Sequence, residues 1–389
     1  MATSMRVLHI VKTAKGAAWV YHQVRVLHSL GVQCTVALPS TRDGLAPSYK
    51  QAGATVVSVN LDLPAKDPWR VFSTLAACRR LVKEVRPDLI HSHHVGTTFM
   101  LRRALGKHSA IPRVFQVPGP LHLEHTFFAW LDLHLAGPRD HWIAGCEWTY
   151  RKYRQLDVDS EHVFLSYPGT DLKSFSDLRT GRLRRELGIS AEVPLIGMVA
   201  YIYAPKWFLG QQRGLKGHED FMAALNLVRV TRPDVRGVII GGPWGNAHWY
   251  EERLRQLGAT ICNGFLTFLG TRQDVPALYP DLDLAVVPSH SENVGGAVEP
   301  LLSGVPVVAT DVGGLPDLIQ ENETGWLVPP RNPEALALAI LDALRDREEA
   351  RRRTLKGRVR ARILFDVEST GREIALIYEQ VLARSALAN

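Results

Sequence analysis

Short β-branched runs alternate with amphipathic helical stretches along nearly the whole chain. Residues 6–11 (RVLHIV) read as a buried strand. Val20, Val24, Leu27 and Leu30 then recur at helical spacing, and Gly31 predicts the helix stop. Residues 33–38, 56–59, 89–92, 113–117, 142–144 and 163–166 continue the strand series. A polar stretch, residues 177–192, follows. After it the rhythm restarts at Pro194, with strands predicted over 195–199, 235–240, 265–269, 284–287 and 305–309. Apolar strands separated by helices imply parallel sheets covered on both faces. The pattern therefore predicts an α/β protein of two doubly wound Rossmann-like domains, residues 1–190 and 191–369, each opening toward ligands at the carboxyl ends of its strands, with a cleft between them. Residues 370–388 predict a last helix, with Ile374, Ile377 and Val381 on the side that packs back on the N-terminal domain.

Composition narrows the class. The chain has 389 residues, enough for two domains, with 46% hydrophobic and 22% charged residues, a globular balance. Residues 1–190 hold 25 basic and 15 acidic side chains, and residues 191–389 hold 21 and 24, so balances of +10 and −3 make up the net +7. A basic N-terminal half points to an anionic partner: a phosphate-bearing ligand, an anionic membrane surface or a nucleic acid. The basic residues are not interleaved with aromatics in an RNP-like run, which argues against nucleic acid. Cys34, Cys78, Cys146 and Cys262 form no C-x-x-C pair and read as buried, reduced thiols. No apolar run approaches a membrane span, and Met1–Met5 leads into a strand with no signal-peptide core. The expected location is the cytoplasm, with peripheral contact at the inner face of an anionic membrane.

Two segments carry candidate chemistry. After the first strand, Lys12-Thr-Ala-Lys15-Gly16-Ala-Ala makes a small-residue turn before a helix, whose amides and dipole suit an anion. It is not G-x-G-x-x-G, and no acidic residue closes the second strand, so a dinucleotide fingerprint fails; an ordinary tight turn reads the same. Residues 287–316, VPSHSENVGGAVEPLLSGVPVVATDVGGLP, say more. A strand ends at Pro288, a polar loop bears Glu292, Asn293, Gly295 and Gly296, a helix carries Glu299, and a second strand ends at Gly313-Gly314. Glycines opening a helix let amides approach a pyrophosphate, and a carboxylate beside them accepts from two sugar hydroxyls at once. The plainer alternative makes Glu292 a helix cap and Glu299 a surface residue.

This segment resembles the donor-site signature of the family 4 retaining glycosyltransferases of the GT-B fold. Its tail, Gly304-Val-Pro306-Val-Val-Ala-Thr310-Asp-Val-Gly313-Gly314-Leu-Pro316, is similar to the family's G-x-P-V-V-A-T-x-x-G-G-x-P. Pro87-Asp88-Leu-Ile-His91-Ser-His93-His94, Tyr167-Pro-Gly169-Thr-Asp171, Leu215-Lys216-Gly217, residues 325–330 and Ile377-Tyr378-Glu379 extend the likeness over nearly the whole chain. The resemblance implies that Glu292 holds donor-sugar hydroxyls, Glu299 the ribose hydroxyls, Gly295 and Gly296 the diphosphate and sugar, and Lys216 the diphosphate. The Gly16 turn would face the diphosphate or the acceptor.

The likeness has three departures. Six residues separate Glu292 from Glu299, one fewer than in the family, so Glu292 or Asn293 fills the first role. The family's Arg before the lysine is missing; an insertion, residues 202–214, offers Lys206 or, nearer Lys216, Arg213. Pro118-Gly119 replaces the usual His-Gly, leaving His122 or His125 to contact the sugar, with His94 a further catalytic candidate. His91, His93, His94, His122 and His125 divide between substrate contact and structure, with metal binding the smallest share. Asp281-Leu-Asp283 precedes a buried strand and reads as a connection, so no metal and no cofactor beyond the co-substrate is expected. The implied activity is transfer of a sugar from a nucleotide-diphosphate sugar, a UDP-sugar foremost, to a hydroxyl of a carbohydrate, lipid-linked or small-molecule acceptor, with retention. A sugar-nucleotide 2-epimerase or hydrolase, and a non-catalytic sugar-nucleotide-binding subunit, are the alternatives.

Overall fold

The computed structural model describes residues 5–64 and 67–387. The chain divides into two units. One comprises Met1–Asp171 and Leu364–Asn389, the other Leu172–Ile363. The first carries strands β1 (Arg6–Ile10), β2 (Gln33–Leu38), β3 (Thr55–Ser58), β4 (Leu89–Ser92), β5 (Arg113–Gln116), β6 (Asp140–Ala144) and β7 (Val163–Leu165). They form one parallel sheet in the order β3-β2-β1-β4-β5-β6-β7. Its helices are α1 (Ala18–Ser29), α2 (Ala46–Gln51), α3 (Arg70–Val85), α4 (Val95–Leu105), α5 (Thr126–Leu135) and α6 (Glu147–Gln155).

The second unit carries β8 (Leu195–Val199), β9 (Arg236–Ile240), β10 (Leu266–Gly270), β11 (Leu284–Val287), β12 (Val307–Thr310) and β13 (Trp326–Val328), ordered β10-β9-β8-β11-β12-β13. Its helices are α7 (Arg182–Leu187), α8 (His218–Thr231), α9 (His248–Cys262), α10 (Val275–Leu278), α11 (Gly295–Leu302), α12 (Leu315–Leu318), α13 (Pro333–Arg345) and α14 (Arg347–Phe365). The last helix, α15 (Val367–Leu387), returns to the first unit.

Both sheets are parallel because each strand is apolar on both faces, and only helices on either side can cover it. Alternation along β1 sends Val7 to a core shared with α1 and α15, and Leu8 and Ile10 to a core shared with α3 and α4. Ile374, Ile377, Tyr378 and Val381 of α15 join Val20, Val24 and Leu27 of α1 in the first of these. The second unit has its own core, built on Ile196, Met198, Phe221, Leu225, Ile239 and Val286. The order of strands reverses between β1 and β4, and again between β8 and β11. Doubly wound sheets take ligands outside the carboxyl ends of the strands at such switch points. Among the described residues no helix is long and apolar enough to cross a membrane, and all four cysteines are buried thiols.

Several sequence expectations shift. The domain boundary falls after Asp171 rather than at 190, and the return after Ile363 rather than 369. The polar residues 177–192, which separate the two apolar regimes in the sequence, are bound into the second unit. Arg179 donates to the Pro280 and Leu282 carbonyls and to Asp283, while Asp281 accepts from the amides of Gly181 and Leu183 at 2.7 and 2.8 Å. Charged side chains with partners of their own are anchors, not spacers. The strand predicted over 305–309 begins at Val307, because the Val305 amide still closes the preceding helix by bonding to the Pro300 carbonyl. The strand β13 was not expected; three residues are too few to show a period. The predicted Ala388 end of the last helix lies outside the described residues.

Candidate functional site

In the second unit, the loop after β8 and the loop after β11 meet at the switch point. Gly217, the N-cap of α8, has φ +74, and a Cβ there would stand 1.9 Å from the Pro288 carbonyl oxygen. Only glycine allows that approach. The amide of His290 donates to the Leu215 carbonyl at 2.7 Å, a second stitch between the same loops. The result places Lys216 against Glu292, and Lys216 Nζ donates to Glu292 Oε2. Ser289 Oγ donates to the same oxygen at 3.2 Å, and the Asn293 amide donates to Oε1 at 3.1 Å. The Glu292 side chain is 9% exposed and that of Lys216 19%, so the pair sits at a protected mouth.

Glu292 lies just before α11, whose first two residues are Gly295 and Gly296. A Cβ on Gly295 would meet nothing within 4 Å, whereas one on Gly296 would press on Val287 at 2.9 Å. The first amides of an α-helix have no partner inside it and carry its positive end. Ammonium, carboxylate and helix amides thus converge on one mouth. One turn on, Glu299 accepts a hydrogen bond from Tyr279; burial, the larger influence, raises its carboxyl above the usual range. Asn293 keeps its Oδ1 buried and unpartnered.

The structure brings together Lys216, Glu292, Asn293, Gly295 and Gly296, and holds Glu299 on the same helix. Arg213 sits beside them, half exposed, its Nη1 2.9 Å from Asp220 Oδ1. Asp220 also accepts from His290 Nε2 at 2.6 Å. Lys206 caps the short turn Trp207–Leu209 within the insertion, whose Trp207 and Phe208 are exposed. Sequence reasoning missed Ser289, His290, Asp220 and Tyr203. The Tyr203 hydroxyl is pushed up to about 12, mainly by burial and further by the Glu292 charge. Ser289 and His290 stood inside the quoted motif; Asp220 and Tyr203 had no signal beyond their closeness to Lys216 in sequence. Asp281 and Asp283 are fully used: Asp281 caps α7, and Asp283 takes Arg179, Arg184 and the Leu195 amide.

The first unit has its own switch-point crevice. Gly16 (φ +81) and Ala17 (φ +54) turn the chain into α1. His94, at the end of β4, meets this turn: the Lys12 amide donates to its Nδ1 at 3.4 Å, and Lys12 pairs with Asp62 at 2.8 Å. Burial, reinforced by the Lys12 charge, brings the His94 imidazole down to about 4, so it is neutral at physiological pH. His122 follows β5 and is held in a different group. It lies 3.3 Å from the Tyr153 hydroxyl and 3.6 Å from Asp132, which also binds Arg102 and the Trp142 indole. Burial alone would raise the Asp132 carboxyl, but Arg102, His122 and Tyr153 together hold it well below the usual carboxylate range. His122 is 6% exposed and His125 is half-buried at the start of α5.

Comparison with known proteins places both units. A family model described as Glycosyltransferase Family 4 matches residues 16–174, and one described as Glycosyl transferases group 1 matches residues 207–346. A D-inositol 3-phosphate glycosyltransferase of Corynebacterium jeikeium (strain K411) is 31% identical over 320 residues, covering 72% of this chain and 70% of the relative. A protein of the same description from Acidothermus cellulolyticus is 28% identical, covering 94% of this chain and 85% of that one. Against the corynebacterial relatives matched with 32% identity, the chain spans about half of their length, 50% and 54%. The fold of the Anabaena protein HepE, solved with UDP-glucose, is similar at TM-score 0.80 and 21% identity, over 96% of this chain and 99% of that one. Sucrose-phosphate synthase from Thermosynechococcus elongatus is similar at TM-score 0.79 and 20% identity, over 98% and 100%.

Proposed function

The chain belongs to the family 4 glycosyltransferases, and from that premise we propose that it transfers a sugar from a nucleotide-diphosphate sugar to a hydroxyl acceptor with retention. The observation that carries the reading is the Lys216–Glu292 pair set before the open Gly295–Gly296 helix start. A sugar diphosphate laid across it meets an ammonium and helix amides with its phosphates and a carboxylate with its hydroxyls. Loss of the diphosphate leaves a transition state with oxocarbenium character, and stabilising charge on the leaving group is the protein's main work. Lys216 and the amides supply that stabilisation without a divalent cation. The displacement proposed is front-side, with the leaving phosphate taking the acceptor proton. Glu299 receives the ribose hydroxyls. UDP-sugars are the donors proposed, in line with UDP-glucose in the HepE structure.

The acceptor is a carbohydrate, lipid-linked or small hydroxyl compound carried by the first unit. Its balance of 22 basic against 17 acidic side chains and the exposed Phe127 and Trp130 of α5 support an anionic acceptor, or one presented at an anionic membrane surface.

The test is a thermal-shift titration with UDP, GDP and their sugars. Ligand at a hundred times its Kd stabilises the native state by about 2.7 kcal/mol, a readily measured rise in Tm. UDP-sugars are expected to give it, and Lys216→Ala to abolish it. No shift with any nucleotide sugar overturns the reading. Donor incubated without acceptor must stay largely intact, since fast hydrolysis or epimer formation selects the rival enzymes. Anionic vesicles that neither retain the protein at low salt nor alter turnover remove the membrane part.

A further inference from the structure

At the switch point of the first sheet, three imidazoles meet with no exposure at all. His9 on β1 and His91 on β4 are register partners on neighbouring strands, and His93 follows directly. Each of the three is 0% exposed. They face the layer formed by α1 and α15, where Trp19 packs edge-on to His93 at 5.3 Å. One ligand atom from each ring can be chosen so that all lie within 4.8 Å of one another. His9 Nδ1 and His93 Nε2 are 3.0 Å apart. Two nitrogens bound to one tetrahedral zinc at about 2.05 Å stand about 3.3 Å apart; the His9 and His93 rings lie 7° from parallel with centroids 5.3 Å apart, so their facing nitrogens must turn off the line that joins them to share a cation.

Three further facts distinguish this cluster from an ordinary satisfied core. His91 Nδ1 lies 2.5 Å from the Tyr378 hydroxyl of α15; in the tautomer whose Nδ1–H donates to that oxygen, Nε2 carries the lone pair, and that atom is buried and unpartnered. A partner on one ring nitrogen is how proteins orient a metal-binding imidazole. His9 Nε2 is unpartnered as well, and the Gln116 side chain is the hydrogen-bond neighbour of His93. Among the described residues no carboxylate or thiol joins the group of three.

We propose that His9, His91 and His93 form a structural binding site for a first-row divalent cation, zinc foremost, that ties β1 and β4 together beneath α1 and α15. The ligand atoms are His9 Nδ1, His91 Nε2 and His93 Nε2, with a solvent-derived fourth ligand. Imidazole nitrogens of this kind suit zinc over magnesium or calcium, which prefer oxygen. Whichever of His9 and His93 donates the hydrogen bond between them moves its proton to its outer nitrogen, so binding needs a tautomer change and no net proton loss. Gln116 Oε1 accepts from His93 Nδ1–H in that arrangement. Ligation uses the neutral imidazole, so binding weakens as pH falls. The site is separate from the Lys216–Glu292 mouth and takes no part in transfer.

The experiment uses the full chain, stripped with chelator and titrated with Co²⁺ and then Zn²⁺. About one Co²⁺ per chain is expected, with the intense visible absorption of tetrahedral cobalt, displaced by Zn²⁺ with a rise in Tm. His93→Gln is expected to lose the absorption, and His108→Gln, on the surface, to keep it. Tyr378→Phe frees the His91 ring and is expected to weaken cobalt binding about tenfold or more. A folded, stripped wild-type chain that gives no cobalt spectrum overturns the proposal. So does a His93→Gln spectrum equal to wild type, or unchanged affinity in Tyr378→Phe. The wild-type titration decides alone if His93→Gln does not fold.

Discussion

Lys216 and Glu292 are ordinary residues in an unusual setting. A largely buried ion pair gains Coulomb energy but loses hydration, so it is weak evidence for stability. Its value lies in holding two functional groups in one place before ligand arrives. Glu292→Gln keeps the volume and the Ser289 contact but removes the charge. It is expected to lower kcat/KM on the order of a hundredfold, as loss of a preorganised polar group does. Stability should fall by only about 1–3 kcal/mol, the scale of hydrogen bonds to a charged group. Steady-state kinetics beside a thermal melt separates the two, and turnover equal to wild type would show that Asn293 or another group does the work. His122 is the contrasting residue. Tyr153 and Asp132 hold it inside a buried group that also contains Arg102, so its contacts are those of a structural polar network.

At the scale of elements, the decisive feature is how closely the start of α8 approaches the end of β11. Gly217 combines a left-handed backbone with contact to the Pro288 carbonyl. Gly217→Ala must therefore distort the loop that carries Lys216. The expected cost is more than about 1 kcal/mol, the scale of a side chain forced into φ > 0, together with a raised KM for the donor. Ala at neighbouring Gly210 has open space around it, though its φ is also positive, and should cost stability without changing KM. Equal KM effects from both would mean that backbone strain alone, rather than Lys216 placement, matters. The α7 segment teaches a related lesson: a run of charges that reads as a spacer becomes an anchor once Asp281 and Asp283 accept its amides and guanidinium groups.

For the whole molecule, buried histidine sets the response to acid. Burial brings His9 and His218 down to about 3 and His94 and His141 to about 4, and holds His91 and His93 well below their ordinary value. The unfolded chain protonates its histidines near 6.5, while the folded chain refuses those protons until its own lower values are reached. Stability is therefore full above about pH 6.5 and declines as pH falls toward 4. Each such group contributes a slope of up to about 1.4 kcal/mol per pH unit. A steep fall in Tm between about pH 6.5 and 5 is expected, read by calorimetry at constant ionic strength; a flat profile there would show that these rings are solvated.

The alternation of apolar strands and amphipathic helices determined the parallel architecture, because such strands can be covered only by helices on both faces. The residues proposed for the donor site were legible too, since Glu292, Gly295, Gly296 and Glu299 lie in one contiguous segment that resembles the family signature. Tertiary structure decided what depends on residues distant in sequence. Parallel register set His9 beside His91, across 82 residues, and α15 brought Tyr378 to them. The Gly217–Pro288 approach joined Lys216 to Glu292, across 76 residues, and the partners of Arg179 and Arg184 moved the domain boundary to Asp171. Local sequence specifies backbone period and turn chemistry. Which side chains share a buried space is fixed only when strand order and helix packing bring them together.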